Sequence, residues 1–301
     1  MDGDWLKRLV RGYLGEDANT DFISDFDCYN YLWEAACEFA KLTKCLRSTQ
    51  SITTVADQAE YTLSADFMEI WTKNDDNALF VKFSDGTTDS FIKDGDYFDI
   101  IYDDNDDSVA VPDRFAVSDV STLGGRITGT ATSAGALSAG ETQLNVSGGG
   151  LSSASVGDMI HNITDGSRGI VLEATSDIAL KTALFDGSEN DWDQSDAFVI
   201  IPQGRMKLVL DPPPSASGNT VTVYYVQRPA PVFSSYGIYR FPSEYSAALA
   251  KYAAWLFKYR DHDPNFGDKW YVYWDQQVRR LGAQLNKSFN NKDFKVSFKK
   301  R

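Results

Sequence analysis

Two helical patterns stand at opposite ends of this chain, with about two hundred residues of strand-and-turn pattern between them. Residues 20–47 read as one amphipathic helix. Ile23, Phe26, Tyr29, Leu32, Trp33, Ala36, Phe39, Ala40 and Leu46 lie on its broad apolar face. Residues 242–288 read as two helices joined by a short turn. Tyr245, Leu249, Tyr252, Leu256 and Tyr259 line the first, and Phe266, Trp270, Trp274, Val278, Leu281 and Leu285 the second. Short helices are marginal in water without a packed apolar face. The expected fold is therefore α+β: a helix bundle built from the N- and C-terminal helices, with the β region as an excursion between them.

Local signals refine this. Trp5, Leu6, Leu9, Val10 and Tyr13 follow helical spacing, and Gly15 supplies a stop. Thr20 is read as the N-cap of the next helix. Strands are expected at Gln50–Val55, Tyr61–Leu63, Phe80–Phe83, Phe91–Ile92 and Tyr97–Tyr102, with turns at Asp85-Gly86 and Asp94-Gly95. Strands return at Arg205–Leu210 and Thr220–Gln227. Arg228-Pro229-Ala230-Pro231 ends the last of them, because proline lacks a ladder donor.

Residues 124–201 change composition to Gly, Ser, Thr and Ala. Gly124-Gly125 opens this stretch and Pro202-Gln203-Gly204 closes it. Short strands are readable at 126–132, 143–146, 158–163, 167–174 and 197–201, with an Asp165-Gly166 hairpin turn. Five or six such strands predict a small β-barrel or sandwich inserted into a host of residues 1–123 and 202–288. Residues 289–301 form a basic arm. In it Phe294, Val296 and Phe298 alternate with Lys295, Ser297 and Lys299 ahead of Lys300 and Arg301. The arm reads either as a solvated terminus or as a strand that adds to another subunit's sheet.

The motifs of chemistry fail on their own terms. Counting from Asp103, a calcium loop needs Gly at position six and Glu at twelve, and finds Ser108 and Arg114. Asp94, Asp96 and Asp99 make only a loose acidic group. His161 lacks a nucleophile in sequence, and His262 sits between Asp261 and Asp263 at a helix end. Cys28 and Cys37 fall on opposite sides of one helix and, with Cys45, lack zinc-site spacing, so no metal or cofactor is expected. A net charge of −14 argues against a dedicated nucleic-acid binder, though not against a wall past which DNA slides. With neither a signal peptide nor an apolar run of membrane length, a soluble protein made in the cytosol is expected.

Three stretches resemble one family. They are Tyr61-Thr62-Leu63-Ser64-Ala65-Asp66-Phe67 after the first long helix, Val223 to Pro231 at a strand end, and Phe241-Pro242-Ser243-Glu244-Tyr245 at the helix hairpin. In this order they resemble head-to-tail adaptor (connector) proteins of tailed bacteriophages, especially short-tailed ones, over about 20–120 and 204–290. The 124–201 stretch departs from the smallest adaptors. Through Val156-Gly157-Asp158 and Asn162-Ile163-Thr164-Asp165-Gly166 it resembles β domains of other phage neck proteins. The resemblance implies a non-enzymatic ring, usually of twelve copies, in the virion neck and assembled in the host cytoplasm. It would dock under the portal protein, meet a tail nozzle or tail-tube protein below, and pass genomic DNA without specific binding. The arm would then supply portal-binding residues Phe294, Lys295, Val296, Phe298, Lys299, Lys300 and Arg301. A tail-tube gatekeeper, a host-surface-binding protein and a polysaccharide depolymerase are the alternatives.

Overall fold

The computed structural model describes residues 2–15, 23–73, 78–79, 81–95, 100, 110–118, 125–135, 141–233, 241, 243–260 and 264–290. The chain is mixed α+β. Its long helices are α1 (Gly3–Leu14), α2 (Asp25–Thr43), α3 (Ser246–Arg260, entered through a 3-10 turn) and α4 (Pro264–Asn290). Asp2 caps α1, and Gly15 closes it in the left-handed region at φ 76°, donating to the carbonyls of Arg11 and Gly12. The cap of α2 is Ser24, whose hydroxyl accepts from the Asp27 N–H at 3.0 Å. That places the start later than Thr20, which lies outside the described residues.

α3 touches α1, α2 and α4. Ala248, Ala250, Ala253 and Ala254 are buried alongside Tyr245, Leu249 and Tyr252, so small residues let three neighbours approach one helix. The expected apolar stripe of α3 is thus only part of its buried surface, and Tyr259 at its end is 63% exposed. From α2, Phe39 fills the space against Phe241 and Tyr245, with ring centroids 5.6 and 5.3 Å away. Trp270, Trp274, Val278 and Leu281 bury the facing side of α4.

Two sheets pack face to face in the middle of the chain. One orders β1 (Arg47–Thr53), β17 (Thr220–Gln227), β6 (Val81–Ser84) and β7 (Asp89–Phe91), with β3 (Phe67–Ile70) also on β17. The other orders β2 (Glu60–Thr62), β16 (Lys207–Asp211), β9 (Arg114–Ser118) and β8 (Lys93–Asp94). Leu63, Phe83, Phe115, Leu208, Leu210, Val221 and Val223 form their shared core. A small ribbon pairs β4 (Thr72–Lys73) with β5 (Ala78–Leu79). The Asp85-Gly86 turn is present, with Gly86 at φ 85°. Asp94-Gly95 is not a turn. Lys93 and Asp94 pair in parallel with β9, and the Gly95 N–H continues that ladder to Phe115. Strand β9 itself was not anticipated, and the Tyr97–Tyr102 strand falls outside the described residues.

The chain leaves this sandwich at Ser118 and returns at Lys207, which are partners across β9 and β16. Between them lies a six-stranded antiparallel sheet. Its order is β10 (Ile127–Thr130), β15 (Ala197–Ile201), β12 (Met159–Asn162), β13 (Arg168–Ser176), β14 (Ala179–Phe185) and β11 (Thr142–Asn145). The sheet curls. The Thr132 N–H donates to the Asn145 carbonyl at 2.8 Å, and the Gln143 N–H to Gly135, so the ends of β10 and β11 meet. Inside, Trp192 is fully buried edge-on to Phe198 and donates its indole N–H to the Thr182 hydroxyl at 2.9 Å.

β14 escapes the strand pattern because β13 and β14 are buried on both faces. Val171, Leu180 and Leu184 point into the curled sheet, while Ile170, Leu172, Ala183 and Phe185 pack on the helical core. A strand covered on both sides shows no alternation to read. Phe185 lies 5.6 Å from Phe26, 6.0 Å from Tyr29 and 5.4 Å from Phe233, ring to ring.

Candidate interaction surface and the joint behind it

The stretches singled out in sequence converge at one joint. Asp66 opens β3. Its carboxylate accepts from the Tyr225 hydroxyl at 2.8 Å and the Gln227 side-chain amide at 2.6 Å, and its carbonyl accepts from the Arg228 N–H at 2.6 Å. Arg228 in turn donates to the Gln203 side-chain oxygen at 2.6 Å. The Gln203 N–H reaches the Asp158 carboxylate at 2.9 Å, and Asp158 also accepts from the Ser155 N–H at 2.7 Å. From α2, the Trp33 indole donates to the Pro229 carbonyl at 3.0 Å. Helices, sandwich and curled sheet are therefore tied through Trp33, Asp66, Asp158, Gln203 and Arg228. Charged partners make these bonds stronger than neutral ones.

Backbone geometry explains why these residues stand there. Gly157 takes φ 93°, and a Cβ there would press on Gln203 and Trp33. The second module motif is equally structural. Asn162 is fully buried and donates to Asp165 at 2.8 Å, Asp196 at 2.9 Å and the Asp191 carbonyl at 3.1 Å, while its own oxygen accepts the Thr164 N–H.

Titration supports a mechanical joint. Burial pushes the Asp158 carboxyl up, opposed by the N–H groups of Gln203 and Ser155 and by Arg205. Burial raises the Tyr225 hydroxyl as well. The Cys37 thiol is pushed up to about 12, mainly by burial, so it is no thiolate nucleophile at neutral pH. Among the described residues no group of three His, Cys, Asp or Glu is placed to hold a metal ion, and no helix is long and apolar enough to cross a membrane. His161 lies on β12. His262, the acidic run at 103–107 and all seven expected portal-binding residues from Phe294 to Arg301 lie outside the described residues.

Two features escaped the sequence reading. An aromatic ledge crosses the α3–α4 hairpin, with the Trp255 and Tyr271 rings 4.8 Å apart and Tyr259 5.6 Å from Trp255. Beneath it Tyr252 is pushed up to about 12, mostly by burial and then by the carboxylates of Glu38 and Glu34. The second is an ionic clasp between α1 and α2. Asp25 accepts from Lys7 at 2.8 Å and from Arg11 at 2.7 Å, and Tyr29 donates to Asp4 at 2.5 Å. Asp4 is held below its ordinary value. Its burial works upward, but the bonds from Tyr29 and Lys7 outweigh it.

A group with a depressed native pKa gives stability that is present above its unfolded pKa and lost as pH falls through the native one. The clasp is therefore expected to loosen below about pH 4. Hydrogen exchange in α1 should rise there before exchange in α3. Equal protection of both helices down to the acid unfolding transition would contradict this.

The family model for SU10 adaptor protein matches residues 114–292. The match starts at β9 and spans the curled sheet, β16, β17 and the helix hairpin, whereas residues 20–113, part of the original resemblance, lie outside it. No curated protein matches the chain. Since the match spans more than half of the chain, the protein belongs to the SU10 adaptor protein family, a family of bacteriophage adaptor proteins.

Proposed function

We propose that this adaptor joins the portal vertex of a phage capsid to the tail and extends the DNA channel as a ring, dodecameric in the family's usual stoichiometry. The family match carries this reading. In it the four helices act as a bundle that forms the ring body, residues 124–201 are an inserted unit, and residues 289–301 are an arm that grips portal. The joint at Asp66, Arg228 and Gln203 suits a part that transmits force between two neighbours, because it couples all three regions by hydrogen bonds. The net charge of −14 suits a conduit that DNA crosses without being held. A tail nozzle or tail-tube protein would dock on the opposite side of the ring.

Mixing purified adaptor with portal and imaging by negative stain is expected to show a coaxial ring added to one face of the portal. Portal particles left bare at micromolar adaptor would sink the reading. The assembled ring should also leave duplex DNA unbound at submicromolar concentration and physiological salt.

A further inference from the structure

β1 is an edge strand with a backbone face to offer. The Leu46 carbonyl accepts from the Gln227 N–H at 2.9 Å, and the Thr54 N–H donates to Asn219 at 2.8 Å. The pairing between them is regular, so even-numbered residues bond β17. Arg47, Thr49, Ser51 and Thr53 therefore turn their N–H and C=O groups the other way. These four residues are also exposed, and among the described residues no strand pairs on that side. The strand has seven residues, no proline, no bulge and a single charge. Natural sheets rarely leave such an edge bare, because it templates pairing with another chain.

Two cations flank the edge. A cleft of about 360 Å³ runs beside it, lined by Thr49, Gln50, Ser64, Ser155, Arg205 and Tyr225. An adjoining cleft of about 370 Å³ shares Thr49 and Tyr225 and ends at Arg47, whose guanidinium lies 4.3 Å over the Trp71 ring. Arg205 donates to the Ser155 hydroxyl at 2.5 Å. In a chain of net charge −14 this edge calls for an extended and acidic occupant.

The chain carries such a segment. Residues 96–107 hold six aspartates and neither lysine nor arginine, around the strand pattern of Tyr97–Tyr102. Both ends of that segment are tied near β9, by the Gly95 N–H to Phe115 at 2.9 Å and the Ala110 N–H to Pro213 at 3.1 Å. β8, from which it departs, lies at one end of its sheet. β2 lies at the other end and meets β1 through the Gln50 side chain, which contacts Thr62 and Ser64. Donor and acceptor thus sit at opposite sides of one body, the arrangement of a head-to-tail contact that closes into a ring.

We propose that the free edge of β1, with Arg47 and Arg205 beside it, docks the acidic segment 96–107 of a second copy of this chain. Backbone pairing would supply affinity, and the two guanidiniums would fix direction and register. The biological use of this contact rests on the ring reading above, but the contact itself is testable without portal.

A fluorescent peptide of residues 95–108 is titrated against the full chain by anisotropy. Saturable binding is expected, weakening as salt rises. Ser51→Pro should weaken it at least tenfold with an unchanged melting transition, because the Ser51 N–H faces outward and takes no part in the β17 ladder. Arg205→Glu should weaken it as much. A peptide carrying lysine for Asp103, Asp104, Asp106 and Asp107 should bind Arg205→Glu better than wild type, which decides the matter even if Ser51→Pro fails to fold. Absence of saturable binding, or binding that neither variant changes, would overturn the proposal. Peptide binding without portal docking would instead overturn the adaptor reading and leave this contact standing.

Discussion

Phe233→Ala is expected to lower stability by about 3–5 kcal/mol, the range for truncating a fully buried phenylalanine. Phe233 is fully buried, with its ring 5.4 Å from Phe185, 5.6 Å from Tyr29 and 6.5 Å from Phe26. It is the wedge between the outer face of β14 and helix α2, so its loss removes contacts from both and leaves a cavity neither can fill alone. In denaturant titrations followed by tryptophan fluorescence, the midpoint should fall and the transition should broaden as Trp192 and the helical tryptophans report separately. A variant within 1 kcal/mol of wild type with one sharp transition would show that this contact is not what couples the two parts. The same packing bears on excising residues 124–201. A bare Gly/Ser join would uncover Phe26, Tyr29 and Phe233, so the host is expected to keep its fold only if those positions are made polar as well.

Truncation after Asn290 is expected to abolish portal attachment while sparing the fold. The four helices bury their apolar faces among residues before that point, and α4 itself ends at Asn290. The eleven residues removed reach at most roughly 36–40 Å when extended, at about 3.3–3.6 Å each. Phe294, Val296 and Phe298 would set register on a partner strand, and the lysines would speed encounter with acidic groups. Co-sedimentation with portal measures this directly. A truncated chain that docks with unchanged affinity would assign portal binding to another surface, with the aromatic ledge of Trp255, Tyr259 and Tyr271 next to be tested.

What the sequence by itself determined is the local layer of this protein. The helices, the Gly15 stop, the Asp165-Gly166 hairpin and strand β17 all follow from neighbours within a few residues, where spacing and backbone preference act directly. The short adaptor-like stretches were legible too. The tertiary structure alone decided what those stretches do. Asp66 meets Tyr225 across 159 positions and Gln227 across 161, a pairing no local pattern encodes. It also decided the strands whose burial depends on distant partners. β14 is covered on one face by its own sheet and on the other by α2 and Phe233, which erases the alternation that marks a strand. β9 is recognisable only beside β16. The free edge of β1 is likewise a property of the assembled sheet, because a strand becomes an edge only when every other strand has found its place.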